Sequence, residues 1–300
     1  MLQGKVVIVT GAGGGIGAEI AKLAAAHGAS VVVNDLGVST SGEGRDPGVA
    51  QGVVDAIRKA GGKAAASIRN VADWDEAHGI VQDTLDAFGR VDVVVNNAGI
   101  VRDVMFHKMS REEFDLVDQI NLRGVFYVAR AAAPHFKQQQ SGCYVHMTST
   151  SGLIGNLGQA NYGAAKLGVA GLSKLIALDM QRFNVTSNAV APFAWTRMVA
   201  TIPETPENAK RLEVNRRLKP EKIASFVVAL ASEAGRSTTG QIFGVRNNEI
   251  YLFSQPRPIR TAHTADGWTP QTIAERVFPA FKASYSPLDR SNEVFTWGPV

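Results

Sequence analysis

The 300-residue chain has a single cysteine, Cys143, so no disulfide forms within it and its core holds by packing alone. Its six histidines stand singly. No Cys or His pair has the spacing of a metal site, so no metal is expected. No apolar run reaches the ~18 residues that a membrane span needs. The chain enters a strand-like run at Lys5 without a basic segment and long apolar stretch before it. Charge of one sign is scarce as well: 31 Lys and Arg against 27 Asp and Glu leave +4, with no basic block, which argues against a nucleic-acid partner. The final Gly298-Pro299-Val300 carries no peroxisomal or retention address. These absences predict a soluble cytoplasmic protein whose partners include neither a membrane nor a nucleic acid.

With 45% hydrophobic and 19% charged residues, the chain can bury one sizeable core. Strand-like runs fall near Lys5 to Thr10, Ser30 to Asp35, Lys63 to Ile68, Val91 to Asn96, Tyr144 to Thr148, Val185 to Val190 and Ile242 to Val245. They alternate with helical runs, which predicts an α/β fold: a doubly wound Rossmann-type parallel sheet of about seven strands with helices on both faces. Ser110 and Glu113 form a capping box that starts a long helix through about Lys137, and Pro220 starts another through about Ser232. Residues 1–245 are read as one catalytic domain. Gly37 to Gly48 reads as a mobile loop, and about 196–219 as a mobile lid over a substrate. Residues 246–300 carry six prolines and read as an extension, with one helix after Thr269-Pro270, packed on the domain or on a neighbouring subunit.

The densest chemical signal is Thr10-Gly11-Ala12-Gly13-Gly14-Gly15-Ile16-Gly17, placed between the first strand and an Ala-rich helical run. A strand feeding a glycine loop that opens a helix presents bare backbone N–H groups to a pyrophosphate. Asp35 lies eighteen residues past Gly17 at the end of the next strand, where a carboxylate can accept hydrogen bonds from an adenosine ribose. Tyr162 and Lys166 are four apart in a helical run and share one face. A tyrosine with an ordinary pKa near 10 becomes a usable base when a cation lies beside it. Such a pair is also common on exposed helices. Ser149, thirteen residues before Tyr162 and just after a strand, adds a hydroxyl that can donate to a substrate oxygen.

Together with Asn96-Asn97-Ala98-Gly99 and Asn121, these motifs make the segment from about Gly4 to Val245 resemble the short-chain dehydrogenase/reductase family. The resemblance implies a catalytic set of Asn121, Ser149, Tyr162 and Lys166. In it Tyr162 is the acid/base, Ser149 orients the carbonyl or hydroxyl, Lys166 lowers the tyrosine pKa and binds ribose, and Asn121 holds a relay water. It implies a dinucleotide held by Gly11, Gly13, Gly14, Gly15, Ile16, Gly17, Asp35, Asn97, Ala98 and Gly99 along with Tyr162 and Lys166. Asp35 repels a ribose 2′-phosphate and no basic residue stands beside it, so NAD rather than NADP is expected. Three departures from the family pattern stand out. Asn70, followed by Val71, replaces the acid that contacts adenine. Pro192 is followed by Phe193 rather than Gly, with Thr196 or Arg197 left to hold the carboxamide. The chain also outlasts the usual length by its tail.

Within the family, the runs Val31 to Gly37, Asn96 to Asp103 and Gly155 to Tyr162 are similar to the (3R)-hydroxyacyl-CoA dehydrogenase unit of multifunctional enzyme type 2 and its single-domain bacterial relatives. That likeness implies oxidation of a (3R)-3-hydroxyacyl-CoA by a stand-alone dehydrogenase. A steroid or other free hydrophobic alcohol is the competing substrate, and a silent NAD-binding regulator a third reading. Lys210, Arg211, Arg216, Arg217 and Lys219 place positive charge where CoA phosphates would lie, and Met198, Ile202 and Leu212 supply apolar surface. Small residues of the Tyr162 helix, such as Gly163, Ala164 and Gly171, permit close packing, and a homodimer or homotetramer is expected.

Overall fold

The computed structural model describes residues 1–38, 44–194, 213 and 216–300. Their centre is an eight-stranded sheet in the order β3-β2-β1-β4-β5-β6-β7-β8. The strands are β1 Val6–Thr10, β2 Ser30–Asn34, β3 Lys63–Ser67, β4 Val93–Asn96, β5 Gly142–Met147, β6 Val185–Phe193, β7 Ile242–Arg246 and β8 Glu249–Leu252. All neighbours pair in parallel except β7 and β8. Helices α1 Gly15–Ala26, α2 Pro47–Lys59, α3 Trp74–Phe88, α4 Arg111–Asp118, α5 Gly124–Gln139, α6 Thr150–Leu153, α7 Ala160–Met180 and α8 Pro220–Ala231 connect the strands.

Alternation along each strand divides the core in two. Val7, Val9, Val31, Val33, Val93, Val95 and Val145 face α1, α2 and α8, whereas Ile8, Val32, Val94 and Tyr144 face α3 and α5. Both faces are dry, which is why these strands read as unbroken apolar runs. Asp92 is the polar exception at the lower edge: it accepts from Val6 N at 2.9 Å and pairs with Arg90 at 2.7 Å. The chain order reverses between β1 and β4, which opens a crevice at their carboxyl ends.

Three differences from the sequence reading matter for function. The helix expected from Ser110 to Lys137 starts on its capping box, with Glu113 N on Ser110 Oγ at 3.2 Å, but a π turn at Gln119–Arg123 separates α4 from α5. The loop expected through Gly48 ends two residues sooner, because Asp46 accepts from Gly48 N at 2.8 Å and caps α2 at Pro47. The sheet gains β8 from the proline-rich extension. Asn247, at φ 56°, turns the chain back within two residues, and Glu249–Leu252 pairs antiparallel with β7. The helical run expected after Thr269-Pro270 spans Pro270–Thr272, a π turn Ile273–Val277 and Phe278–Phe281. No helix among the described residues is long and apolar enough to cross a membrane.

Candidate active site

The glycine loop leaves β1 with Gly11 at φ +62°, a left-handed turn that favours glycine. It packs so tightly that side chains are excluded. A Cβ on Gly17 would lie 2.3 Å from Gly11 O, and one on Gly13 would lie 2.3 Å from Val49 Cγ1. Helix α1 begins at Gly15 with no side chain capping it and no acid in its first turn. Its first amides therefore remain available to an anion, and the helix dipole favours one. Asn97 locks the loop to the end of β4, its Nδ2 donating to Thr10 O at 3.0 Å and Gly11 O at 2.9 Å. Thr10 Oγ1 accepts from Asn97 N and Ala98 N at 3.0 and 3.1 Å.

Above this loop lies a cavity of about 290 Å³. Gly11, Gly14, Gly15, Ile16, Asp35, Asn70, Val71, Asn97, Ala98 and Gly99 all line it, so ten positions singled out in the sequence meet there. Gly13 and Gly17 support the loop from behind. Asp35 is fixed by two backbone amides, Gly13 N and Gly37 N, each at 2.8 Å from one of its carboxylate oxygens. Asn70 Oδ1 accepts from Ala72 N at 2.9 Å, and Glu76 holds Asn70 N at 2.7 Å. Glu76 was not singled out in the sequence; its position in the first turn after the N-cap Asp73 was the available signal. Bare backbone, an uncapped helix start and an anchored carboxylate fit the pyrophosphate and adenosine of a dinucleotide.

The second group gathers where β5 and α7 meet. Ser149 caps α6, its Oγ accepting from Ser151 N at 3.1 Å. Tyr162 lies in the first turn of α7; burial pushes its phenol pKa up to about 12, the nearby Ser149 hydroxyl draws it down, and Asp103 acts in the same direction as burial. Lys166, only 3% exposed, lies 5.7 Å from the centre of the Tyr162 ring. Its Nζ donates to Met147 O at 3.0 Å, and burial pulls its pKa down to about 8. Asp103 is itself gripped by Gln159 Nε2 at 3.0 Å from both oxygens. Neither Asp103 nor Gln159 was assigned a role from sequence, although both lie in runs that carry the resemblance.

Asn121 joins the two groups. It sits in the π turn and is fully buried; its Nδ2 donates to Ile100 O and Val117 O at 2.9 and 3.0 Å, while its Oδ1 has no partner. π turns recur at functional sites because the extra residue re-aims a side chain. A Cβ on Gly99 would lie 2.4 Å from that orphan oxygen and 3.4 Å from Lys166 Nζ, so only glycine leaves the passage between them open. A buried unpaired acceptor is costly and is usually met by water. Pro192 lies in β6 beside Val245, outside the cavity wall. Thr196, Arg197 and most of the expected lid lie outside the described residues; of its basic groups, Arg217 pairs with Glu213 at 2.9 Å. Among the described residues no cluster of His, Cys, Asp and Glu could hold a metal ion.

Burial of Lys166 predicts a stability signature. Its pKa is about 8 in the fold against an ordinary 10.5, so between these values the unfolded chain binds the extra proton and stability rises with pH. The cost of the buried charge is fully present below pH 8 and is relieved by pH 10.5, a change of about 3 kcal/mol. Denaturant titrations should therefore show the stability of Lys166→Met relative to wild type falling across this window. A constant difference would refute it.

A family model described as Enoyl-(Acyl carrier protein) reductase matches residues 11–246. A Mycobacterium tuberculosis protein named as a short-chain type dehydrogenase/reductase is 49% identical over 84% of this chain and 86% of its own length. Peroxisomal multifunctional enzyme type 2 of Mus musculus is 44% identical over 91% of this chain, and peroxisomal hydratase-dehydrogenase-epimerase of Neurospora crassa 39% over 91%. The chain spans 38% of the length of the mouse protein and 30% of that of the fungal one. Among solved structures, a short chain dehydrogenase from Mycobacterium avium superposes with a TM-score of 0.83 at 39% identity, covering 95% of this chain and 97% of the other. A 7α-hydroxysteroid dehydrogenase complexed with NADH and 7-oxo glycochenodeoxycholic acid gives 0.74 at 29%, covering 82% and 94%. With the glycine cradle and the Ser149, Tyr162 and Lys166 cluster in place, the chain belongs to the short-chain dehydrogenase/reductase family of oxidoreductases.

Proposed function

We propose that the protein interconverts a secondary alcohol and a ketone with NAD, and that its substrate is a (3R)-3-hydroxyacyl-CoA oxidised to the 3-oxoacyl-CoA. The observation that carries the chemistry is the Tyr162 phenol beside the Ser149 hydroxyl, flanked by a Lys166 ammonium pinned to Met147 O. In the oxidative direction Ser149 holds the substrate oxygen, and Tyr162 takes the hydroxyl proton. Lys166 stabilises the charge that develops on the phenol and binds ribose hydroxyls. A water on Asn121 Oδ1 would carry the proton onward, which gives that orphan acceptor its partner. NAD bound in the cradle supplies the hydride acceptor.

The identity to the peroxisomal multifunctional and hydratase-dehydrogenase-epimerase proteins supports the thioester substrate. The likeness to a hydroxysteroid dehydrogenase with a bound bile-acid derivative favours a free hydrophobic alcohol as the second reading. Turnover with NAD on (3R)- and (3S)-3-hydroxyacyl-CoA esters beside steroid alcohols, read as NADH absorbance, separates them. The (3R) thioester is expected to give the highest kcat/KM, and a preference for steroids would transfer the assignment. In the same assay Tyr162→Phe should lower kcat about 1,000-fold; wild-type speed would remove Tyr162 from the chemistry.

Cofactor choice rests on Asp35. Its carboxylate is held at the cavity wall by Gly13 N and Gly37 N, where it would meet a 2′-phosphate with like charge. Steady-state kinetics of Asp35→Ala should show the NAD-over-NADP ratio of kcat/KM falling by about tenfold or more. An unchanged ratio would place the selector elsewhere.

A further inference from the structure

The residue immediately before Tyr162 is Asn161, and only 1% of it is exposed. A side-chain amide at that depth needs partners for its two N–H donors and its carbonyl. Asn161 finds one for each on a different element. Its Nδ2 donates to Arg102 O, in the loop after β4, at 3.0 Å and to Glu113 O, in the first turn of α4, at 3.1 Å. Its Oδ1 accepts from Tyr162 N at 2.7 Å.

The last of these bonds answers a need at the start of α7, where the first amides have no partner within the helix. Gln159 at the N-cap provides no side-chain cap, and its carbonyl accepts from Gly163 N at 2.7 Å. Gly158, four residues before Tyr162, lies outside the helix and its carbonyl accepts from Val104 N at 2.8 Å. The Tyr162 amide is held by Asn161 instead. Around that bond the loop after β4 is laced to the helix start in reverse order: Val104 N to Gly158 O, the Asp103 carboxylate to Gln159 Nε2, and Arg102 O to Asn161 Nδ2. The same loop begins at Gly99, which borders Asn121 Oδ1 and Lys166 Nζ. The backbone of the reacting tyrosine is thereby referred to β4 and α4 as well as to β5. A phenol that exchanges a proton with an oxygen held by Ser149 has little room to drift, because a displacement of about 1 Å costs on the order of 100-fold in rate.

We propose that Asn161 is a positioning residue for the reaction: by holding the Tyr162 amide and tying the start of α7 to the loop after β4 and to α4, it sets where the phenol meets the substrate oxygen. The proposal rests on the reading of Tyr162 as the acid/base. It requires the loss of Asn161 to fall on turnover and to leave dinucleotide binding alone.

The test uses the full chain and the alcohol that wild type oxidises fastest in the panel above. Asn161→Ala should lower kcat about thirtyfold, with KM and the dissociation constant for NADH each within about twofold of wild type. Asn161→Asp keeps the size and the acceptor for Tyr162 N but loses both donors, and should lower kcat about tenfold. Wild-type kcat in either variant, or a fall in kcat matched by an equal rise in the NADH constant, would overturn the assignment. In a Tyr162→Phe background Asn161→Ala should lower the remaining rate by less than about twofold, because no phenol is left to place; losses that multiply would show Asn161 acting on something else. Amide hydrogen exchange needs no turnover. The Tyr162 amide should exchange about tenfold faster in Asn161→Ala and at nearly the wild-type rate in Asn161→Asp, while the Val104 amide should exchange faster in both. Unaltered exchange at Tyr162 in Asn161→Ala would refute the hold even if no substrate is found, whereas wild-type speed in Tyr162→Phe alone would count against the acid/base reading.

Discussion

Lys166 is a cation in a place that water scarcely reaches, and the arrangement of the site follows from how it is held. Its ammonium donates to Met147 O at 3.0 Å, and its carbonyl accepts from Thr148 Oγ1 at 2.5 Å. One residue thus staples α7 to the end of β5 through both its side chain and its backbone. Tyr162, one turn earlier, is thereby brought against the loop that Ser149 opens. Burial works on both ionisable groups in the direction that opposes charge, lowering Lys166 to about 8 and raising Tyr162 to about 12. At neutral pH the pair is an ammonium beside a neutral phenol. The positive charge is in position before any proton moves.

The dinucleotide side follows from a different constraint, the absence of side chains. A backbone that must approach a pyrophosphate needs glycine where the chain turns, at Gly11, and where it packs, at Gly13 and Gly17. Asn97 and Thr10 then fix the loop to β4 across the switch point. Gly99 extends the same logic to the reacting half, because a methyl group there would collide with Asn121 Oδ1. The two halves meet at a glycine that the Asn-Asn-Ala-Gly motif supplies.

Much of this was legible in the residue order, for physical reasons. Parallel strands buried on both faces announce themselves as apolar runs, so seven were placed to within a few residues. The glycine loop, Asp35, Ser149, Tyr162 and Lys166 lie at spacings that a strand, a turn and a helix translate directly into proximity. The rest depended on contacts that no local pattern encodes. The π turn at Gln119–Arg123 interrupts a seamless helical sequence, and it is what buries Asn121 with an unpaired oxygen. Strand β8 was hidden in a segment dominated by prolines, although Asn247-Asn248 between two short alternating runs was a hairpin signal. Glu76 on Asn70 N and Ser291 on Gly155 O bridge positions that only the fold brings together. Sequence reasoning set Lys166 to lower the Tyr162 pKa; in the folded chain burial pushes the phenol up to about 12, and the group that draws it down is Ser149.

The central claim is that the charge on Lys166 governs proton exchange at Tyr162, and the pH dependence of kcat/KM for alcohol oxidation tests it most directly. The account predicts, in wild type, a rise with an apparent pKa well below the value of about 12 to which burial pushes the Tyr162 phenol. In Lys166→Met the same limb should move upward by a unit or more, on the order of the effect of one nearby cation. Identical profiles in the two proteins would contradict the account, because the ammonium would then have no hold on the proton that the reaction transfers.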